Sequence, residues 1–402
     1  MEKKRIFITA HYLEIGGAET SLIGLLGAID YSRYEVDLFL QAVRGDMLAY
    51  VPKEVRILPE IGCYSMIEEP ISLCLRKGYG RVAAARLISK FKYQRYAHQF
   101  HPKDMHTYYD ILDREITKVW PSLEHLGTYD LAISYIAMKT ITLDKVKAKK
   151  KICWIHTDYS TVDCYKPYAL PLWERFDHIV SISPAVTEAF LKYLPETATQ
   201  IVEMENILPK VLILQKAACL SEGQTLFPGL KKGEVCLLSV GRICEAKNYD
   251  SIPYIAAHLQ RLGIAFHWYI VGPGDHTAID AKAQERGVEG VVTFLGASAN
   301  PYPYIQQCDI YVHPSRYEGK SIVVREAQVL GKPVVITDYP TASSQVNDGK
   351  DGVIVPLNNE GCAQGIARFI RDSKLQAQIV DYLQSHDFAG ESEIEKIYQL
   401  IE

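Results

Sequence analysis

Tyr311-Val312-His313-Pro314-Ser315-Arg316-Tyr317-Glu318-Gly319-Lys320-Ser321-Ile322-Val323-Val324-Arg325-Glu326-Ala327 is the stretch on which the fold turns. Its first residues continue an apolar strand, Ile310 to His313, which Pro314 ends because proline has no N–H for a ladder. Gly319 permits a tight turn, and Ser321 stands at the N-cap of a helix predicted to run to about Leu330. Strand, glycine turn and helix in that order build a parallel α/β sheet. The helix start offers backbone N–H groups and a positive dipole end, which suits an anionic phosphate. Glu318 precedes that start and Glu326 follows it, so two carboxylates approach one ligand from different sides. A carboxylate accepts hydrogen bonds from adjacent ribose hydroxyls. Taken alone, Glu326 equally suits the helix dipole and Glu318 a solvated loop.

Upstream, Val235 to Val240 reads as a strand ending in Gly241-Arg242, with Lys247 five residues on. Ligands of open α/β sheets bind at such strand ends, and a guanidinium with an ammonium nearby suits a diphosphate. Two surface cations on a loop would read the same way. Tyr249 to Leu262 has helical spacing and stops at Gly263, and His267 to Val271 is a strand leading into Gly272-Pro273-Gly274. Val291 to Leu295 and Pro333 to Thr337 add two more strands. The first half begins similarly. A strand from Arg5 to Ala10 opens into Gly16-Gly17, a helix follows from Glu19 to Ile29, and Val36 to Gln41 returns to strand character. Two α/β halves emerge, joined near Asn206-Ile207-Leu208-Pro209. The division expected is 1–207, 208–385 and a C-terminal helical segment 386–402.

The 402 residues make two domains the natural prior, and 48% hydrophobic with 23% charged residues is a globular composition. A net charge of -4 argues against nucleic acid as a partner. No apolar run reaches the roughly 18 residues that span a bilayer, and the start is too short for a signal peptide. Nine scattered cysteines without zinc spacing point to reduced thiols and a cytoplasmic location. Against this background the region from Cys63 to Leu126 is helix-rich and locally basic. Arg76, Lys77, Arg81, Arg86, Lys90, Lys92, Arg95 and Lys103 occur there with no acidic residue among them. Leu87, Ile88, Phe91, Tyr93 and Tyr96 lie among the cations, as in a basic amphipathic helix resting on an anionic membrane. A second basic run, Lys145 to Lys151, precedes a strand read from Ile152 to His156. The competing reading is a pair of solvated faces.

The ordered set Gly16-Gly17, Gly241-Arg242 with Lys247, Val271-Gly272-Pro273-Gly274, Phe294-Leu295-Gly296 and Glu318 with Glu326 resembles the retaining glycosyltransferases of family 4. The resemblance is strongest from Val235 to Pro356 and weak from Cys63 to Leu126. It implies the GT-B architecture, two Rossmann-like domains facing each other across a cleft. A nucleotide-sugar co-substrate, UDP-linked by family frequency, is then held by the C-terminal domain, and the acceptor by the N-terminal one. The resemblance assigns Arg242 and Lys247 to the donor diphosphate, Glu326 to the ribose and Glu318 to the neighbourhood of the donor sugar. It assigns Gly16 and Gly17 to backbone approach on the donor phosphate, and His156 to the sugar. Gly319, Lys320, Ser321 and Ile322 contribute the helix-start contacts, Asn206 is an inter-domain residue, and Ser392 to Glu402 packs back on the N-terminal domain. No metal or other cofactor is implied.

Where the family commonly has Glu-Gly-Phe-Gly, this chain has Glu318-Gly319-Lys320-Ser321. The missing glycine restricts the backbone, and Lys320 adds a cation. Glu-Gly-Lys-Ser forms resemble bacterial surface-polysaccharide transferases, which implies a hexose-type donor and a glycan or lipid-linked acceptor, with contact on the inner face of the cell membrane. A nicotinamide enzyme is disfavoured, because neither glycine turn completes Gly-x-Gly-x-x-Gly. The alternative is an inactive glycosyltransferase-like subunit that supports a catalytic partner.

Overall fold

Alternation of short apolar strands with helices produces two parallel sheets in the computed structural model, which describes residues 3–157, 159, 162–219 and 225–402. The chain divides into one unit of Met1–Leu208 with Glu391–Glu402 and another of Pro209–Gly390. The first unit contains β1 (Lys4–Ala10), β2 (Tyr34–Leu40), β3 (Arg56–Ile57), β4 (Thr128–Ile136), β5 (Lys147–Ile155), β6 (His178–Ser181) and β7 (Ile201–Glu203). Their order across the sheet is β3-β2-β1-β4-β5-β6-β7. Strand order therefore reverses between β1 and β4, the switch point at which doubly wound sheets open a crevice. The second unit contains β8 (Val235–Val240), β9 (Phe266–Val271), β10 (Val292–Gly296), β11 (Ile310–His313), β12 (Val334–Thr337) and β13 (Val353–Val355). Its order, β10-β9-β8-β11-β12-β13, reverses between β8 and β11.

Central strands in such sheets are buried on both faces and read as continuous apolar runs. β9 is buried at every position from Phe266 to Val271, and β12 from Val334 to Thr337. Trp268 is fully buried, and its indole N–H donates to Ser239 Oγ at 3.0 Å. Gly272 follows β9 where the backbone of β8 comes closest, and a Cβ there would overlap the carbonyl of Gly241.

The basic, helix-rich region is part of the first unit's core. Helices Gly62–Ser65, Ile71–Arg76, Gly80–Phe100 and His106–Ile116 lie there, and Tyr64 stacks on Trp120 at 4.4 Å. Tyr64, Trp120, Val82 and Leu112 join Phe7, Phe39 and Tyr129 in one cluster. Two sequence readings are corrected. Arg86 is not a free surface cation, because its Nη1 donates to the Met66 carbonyl at 2.9 Å and also to that of Glu69. The run Lys145–Lys151 does not precede its strand: Lys147 to Lys151 form the first half of β5. Lys149 pairs with Asp130 at 2.7 Å, Lys145 donates to the Trp120 carbonyl at 2.7 Å, and Lys151 to that of Leu143 at 2.6 Å.

After Glu391 the chain rejoins the first unit through helix Ile394–Ile401. Its buried side is Ile394, Ile397, Tyr398 and Ile401, whereas Leu400 is only half-buried. Tyr398 stacks on Tyr34 at 4.6 Å, and its oxygen accepts from the Asp30 N–H at 2.7 Å.

Candidate functional site

At the carboxyl end of β11, His313 is buried and Pro314 turns the chain out of the sheet. The following loop carries Ser315 and Glu318 back toward the loop after β8. Side chains of neighbouring segments fix it in place. Asn248, with φ 58, donates from Nδ2 to the Pro314 carbonyl at 2.9 Å. Arg316 grips Asp250 with two bonds of 2.9 Å and donates to the Glu245 carbonyl at 2.8 Å. Thr337 donates to the Ser315 carbonyl at 2.6 Å, and Thr341 to that of Glu318 at 2.7 Å. These bonds set the positions of Lys247 and Glu318.

The result is a convergence on one carboxylate oxygen. Glu318 Oε1 accepts from Lys247 Nζ at 2.5 Å and from Ser315 Oγ at 2.9 Å, and it lies 3.0 Å from His313 Nε2. Burial works to raise the Glu318 pKa, but the hydrogen bond from His313 and the charge of Lys247 outweigh it and hold the group at about 2. Burial pushes His313 down, leaving a neutral ring at pH 7 that donates through Nε2 and faces the Tyr311 hydroxyl through Nδ1. Lys247 is therefore the cation that balances the Glu318 anion. Arg242, by contrast, is exposed, and no ion pair engages it among the described residues.

Helix Ile322–Val329 begins at Ser321 as expected, but the cap differs from the expected one. Ser321 Oγ makes no capping bond. Instead the Gln345 amide clamps the Ser321 backbone, accepting from its N–H at 2.6 Å and donating to its carbonyl at 3.2 Å. Gly319, Lys320 and Ile322 flank this clamp, all half-buried. Glu326 is 5% exposed, and burial raises its pKa to about 7 while the Tyr302 hydroxyl donates to it at 2.8 Å. Lys247, Glu318, Ser321 and Glu326 thus lie on or beside the loops that follow β8 and β11, at that unit's switch point.

The other named residues belong to the first unit. Gly16 is the N-cap of helix Gly17–Ala28, directly after β1. His156 follows β5, its ring 4.5 Å from that of Tyr135, and burial pushes its pKa down to about 3. Its Nε2 has no hydrogen-bond partner among the described residues. It lines a cavity of about 280 Å³ at the carboxyl ends of β1, β4 and β5, together with His11, Glu19 and Lys139. Asp158, quoted with His156 in the sequence, lies outside the described residues.

Sequence reasoning passed over His313, Ser315, Asn248, Gln345 and Tyr302. His313 and Ser315 flank Pro314 within the deciding stretch, so their spacing to Glu318 was there to be read. Gln345 and Tyr302 carry no local signal, because only the packing of distant segments brings them to the helix.

Residues 226–386 match the family described as Glycosyl transferases group 1. The putative glycosyltransferase EpsF of Bacillus subtilis is 32% identical over 114 residues, covering 28% of this chain and 30% of that protein. The N-acetylgalactosamine-N,N'-diacetylbacillosaminyl-diphospho-undecaprenol 4-alpha-N-acetylgalactosaminyltransferase of Campylobacter jejuni is 29% identical over 225 residues, covering 53% of this chain and 60% of that one. The chain thus spans less than two thirds of the length of either relative. Anabaena HepE, crystallised in complex with UDP and glucose, superposes with a TM-score of 0.66 at 18% identity, with 99% of each chain covered. The fold is that of the GT-B glycosyltransferases, and residues 226–386, within the second unit, match the group 1 glycosyl transferase family.

Proposed function

We propose that this protein is a retaining, metal-independent glycosyltransferase that moves a hexose-type sugar from a UDP-linked donor to a glycan or lipid-linked glycan in surface polysaccharide synthesis. The observation that carries the proposal is the Lys247–Glu318–His313 cluster at the carboxyl ends of β8 and β11. Breaking an anomeric C–O bond leaves negative charge on a diphosphate. Exposed Arg242, Lys247 and the start of helix Ile322–Val329 are the groups that meet that charge. In this reading Glu326 accepts from the ribose hydroxyls, and Gly16, Gly17 and His156 act from the first unit.

The state of Glu318 favours a front-face attack in which the leaving phosphate takes the acceptor proton. A carboxylate held at about 2 by His313 and Lys247 is a weak base and a poor nucleophile. The UDP bound to HepE and the undecaprenol-linked substrate in the name of the Campylobacter relative support the donor and acceptor classes. Contact with an anionic membrane on the cytoplasmic side belongs to the same reading. Among the described residues no helix is long and apolar enough to cross a membrane.

Incubating the protein with UDP-, GDP- and dTDP-sugars and measuring nucleotide diphosphate release tests the activity. Release from a UDP-sugar is expected, unchanged by EDTA. Release from none of them would favour the inactive-subunit reading. NMR of the anomeric centre in the product tests retention, and an inverted linkage would end it.

A further inference from the structure

The carboxyl of Glu326 is held by a residue that no motif singled out. Glu326 is buried on helix Ile322–Val329, and the Tyr302 hydroxyl donates to its Oε1 at 2.8 Å. Tyr302 is buried as well, twenty-four positions away in the chain. The loop after β10 sets its place. There Ser298 Oγ donates to the Asn300 carbonyl at 3.0 Å and accepts from the Asn300 N–H at 3.2 Å, which folds the loop back on itself. The Asn300 side-chain amide donates to the Lys216 carbonyl at 2.9 Å, on helix Lys210–Ala218. Helix Tyr302–Gln307 starts two residues later, packs on that helix and brings its first side chain to Glu326.

That single bond acts on both the direction and the charge of the carboxyl. A neutral acid presents an O–H on one oxygen, whereas a carboxylate accepts at both, so only the ionised form accepts from two adjacent hydroxyls at once. Burial favours the neutral form, and the Tyr302 hydrogen bond and the Lys216 ammonium oppose it. Tyr311, on β11, also interacts electrostatically with Glu326, and its phenol is neutral at pH 7. Arg325, next in the chain, donates instead to the Phe388 carbonyl at 2.9 Å. β12 and helix Ser373–Ser385 pack on the same helix and bring no further charge to bear on Glu326 among the described residues. Of these groups, Tyr302 is the one in hydrogen-bond contact with the carboxyl.

We propose that Tyr302 is a positioning residue for donor binding: its hydroxyl holds Glu326 by one oxygen and keeps it ionised, so that the carboxylate accepts from both ribose hydroxyls. The inference rests on the reading of Glu326 as the ribose ligand, and the experiment separates the two. Tyr302→Phe keeps the ring and removes only the hydroxyl. Carbon-13 NMR of the full chain with labelled glutamate carboxyls, assigned with Glu326→Gln, reads the titration of Glu326 without any ligand. The midpoint is expected near pH 7 in wild type and about one unit higher in Tyr302→Phe. Isothermal titration with UDP-glucose, whose diphosphate diester stays fully ionised across this range, reads the consequence for binding. Affinity in Tyr302→Phe should be about fivefold weaker than wild type at pH 7 and within about twofold of it at pH 8.5. A merely structural defect would not recover in this way. In the Glu326→Gln background, removing the hydroxyl should change nothing further. An unchanged midpoint, or a loss of affinity that is equal at every pH, overturns the positioning role and leaves Glu326 on the ribose. Wild type that binds no UDP-glucose, or binds its 2′-deoxyribose analogue equally well, refutes the ribose reading itself and the proposal with it.

Discussion

Lys247 and Arg242 share a motif and an expected role, yet their surroundings make them respond differently to substitution. Arg242 is exposed and forms no ion pair among the described residues, so Arg242→Ala should leave Tm unchanged while weakening UDP binding about ten- to a hundredfold, the loss of one charge-assisted contact. Lys247→Ala should weaken binding similarly and also lower Tm, because it leaves the half-buried Glu318 anion without its cation. Isothermal titration and thermal melts on the two variants check both outcomes; wild-type UDP affinity in both would sink the phosphate assignment. Glu326 supplies a pH test. Its folded-state pKa of about 7 lies above the ordinary glutamate value of 4.5. The folded state therefore binds the extra proton, and the associated stability is complete below about pH 4.5 and lost as pH rises through about 7. Glu326→Gln should raise the Tm of the second unit by a few degrees at pH 8 and leave it unchanged near pH 4. Equal shifts at the two pH values would mean that the carboxyl is not held protonated by burial.

At the scale of the element, helix Gly80–Phe100 shows how packing selects among residues that the sequence presents alike. Leu87, Ile88 and Phe91 are exposed by 53%, 47% and 60% and share one side of the helix. Lys90 and Arg95 beside them are exposed as well. Tyr93 instead turns inward to the Asp104 carbonyl at 2.8 Å, Tyr96 packs on Tyr165 at 4.8 Å, and Lys92 pairs with Glu115 at 2.6 Å. The exposed basic and apolar surface proposed for membrane contact is therefore narrower than the sequence suggested, and Arg86 is excluded from it. Sedimentation with anionic vesicles should show binding that salt weakens and that Lys90→Glu with Phe91→Asp abolishes. Arg86→Glu would confound the experiment by removing donors from the Met66 and Glu69 carbonyls. Equal partition on neutral and anionic vesicles, or none on either, rejects the membrane contact.

At the scale of the whole molecule, the first unit is built from two distant parts of the chain. Tyr398 brings a stacked ring and a hydrogen bond to residues more than three hundred and sixty positions away. Lys396 adds a bond of 3.0 Å to the Glu203 carbonyl, and Glu393 accepts from the Glu205 N–H at 2.9 Å. Tyr398→Ala should cost about 3 kcal/mol, the usual scale for truncating a buried aromatic ring, and lower the Tm of the first unit by about 10 °C. An unchanged melting profile would show that the terminal helix does not hold this unit together.

What the sequence determined by itself was local. Strands β8 and β11 were legible residue for residue, and Ser321 at its helix start, because apolar runs, Pro314 and the glycine turns act within a few residues of themselves. The order of those elements was enough to imply two parallel sheets. The partners of the charged groups were decided only in three dimensions. Nothing near Glu318 in the chain announces that Lys247 will share its oxygen with His313 and Ser315, or that Gln345 will cap the helix in place of the Ser321 hydroxyl. Nor does the sequence separate Arg86, half-buried and held by carbonyl contacts, from Lys90, which faces solvent. Periodicity records which face of an element is apolar, whereas hydrogen bonds and ion pairs depend on loops from separate strands meeting at one end of a sheet. That meeting is a property of the sheet order, and it put His106 and Asp110 beside His156, where no motif had pointed.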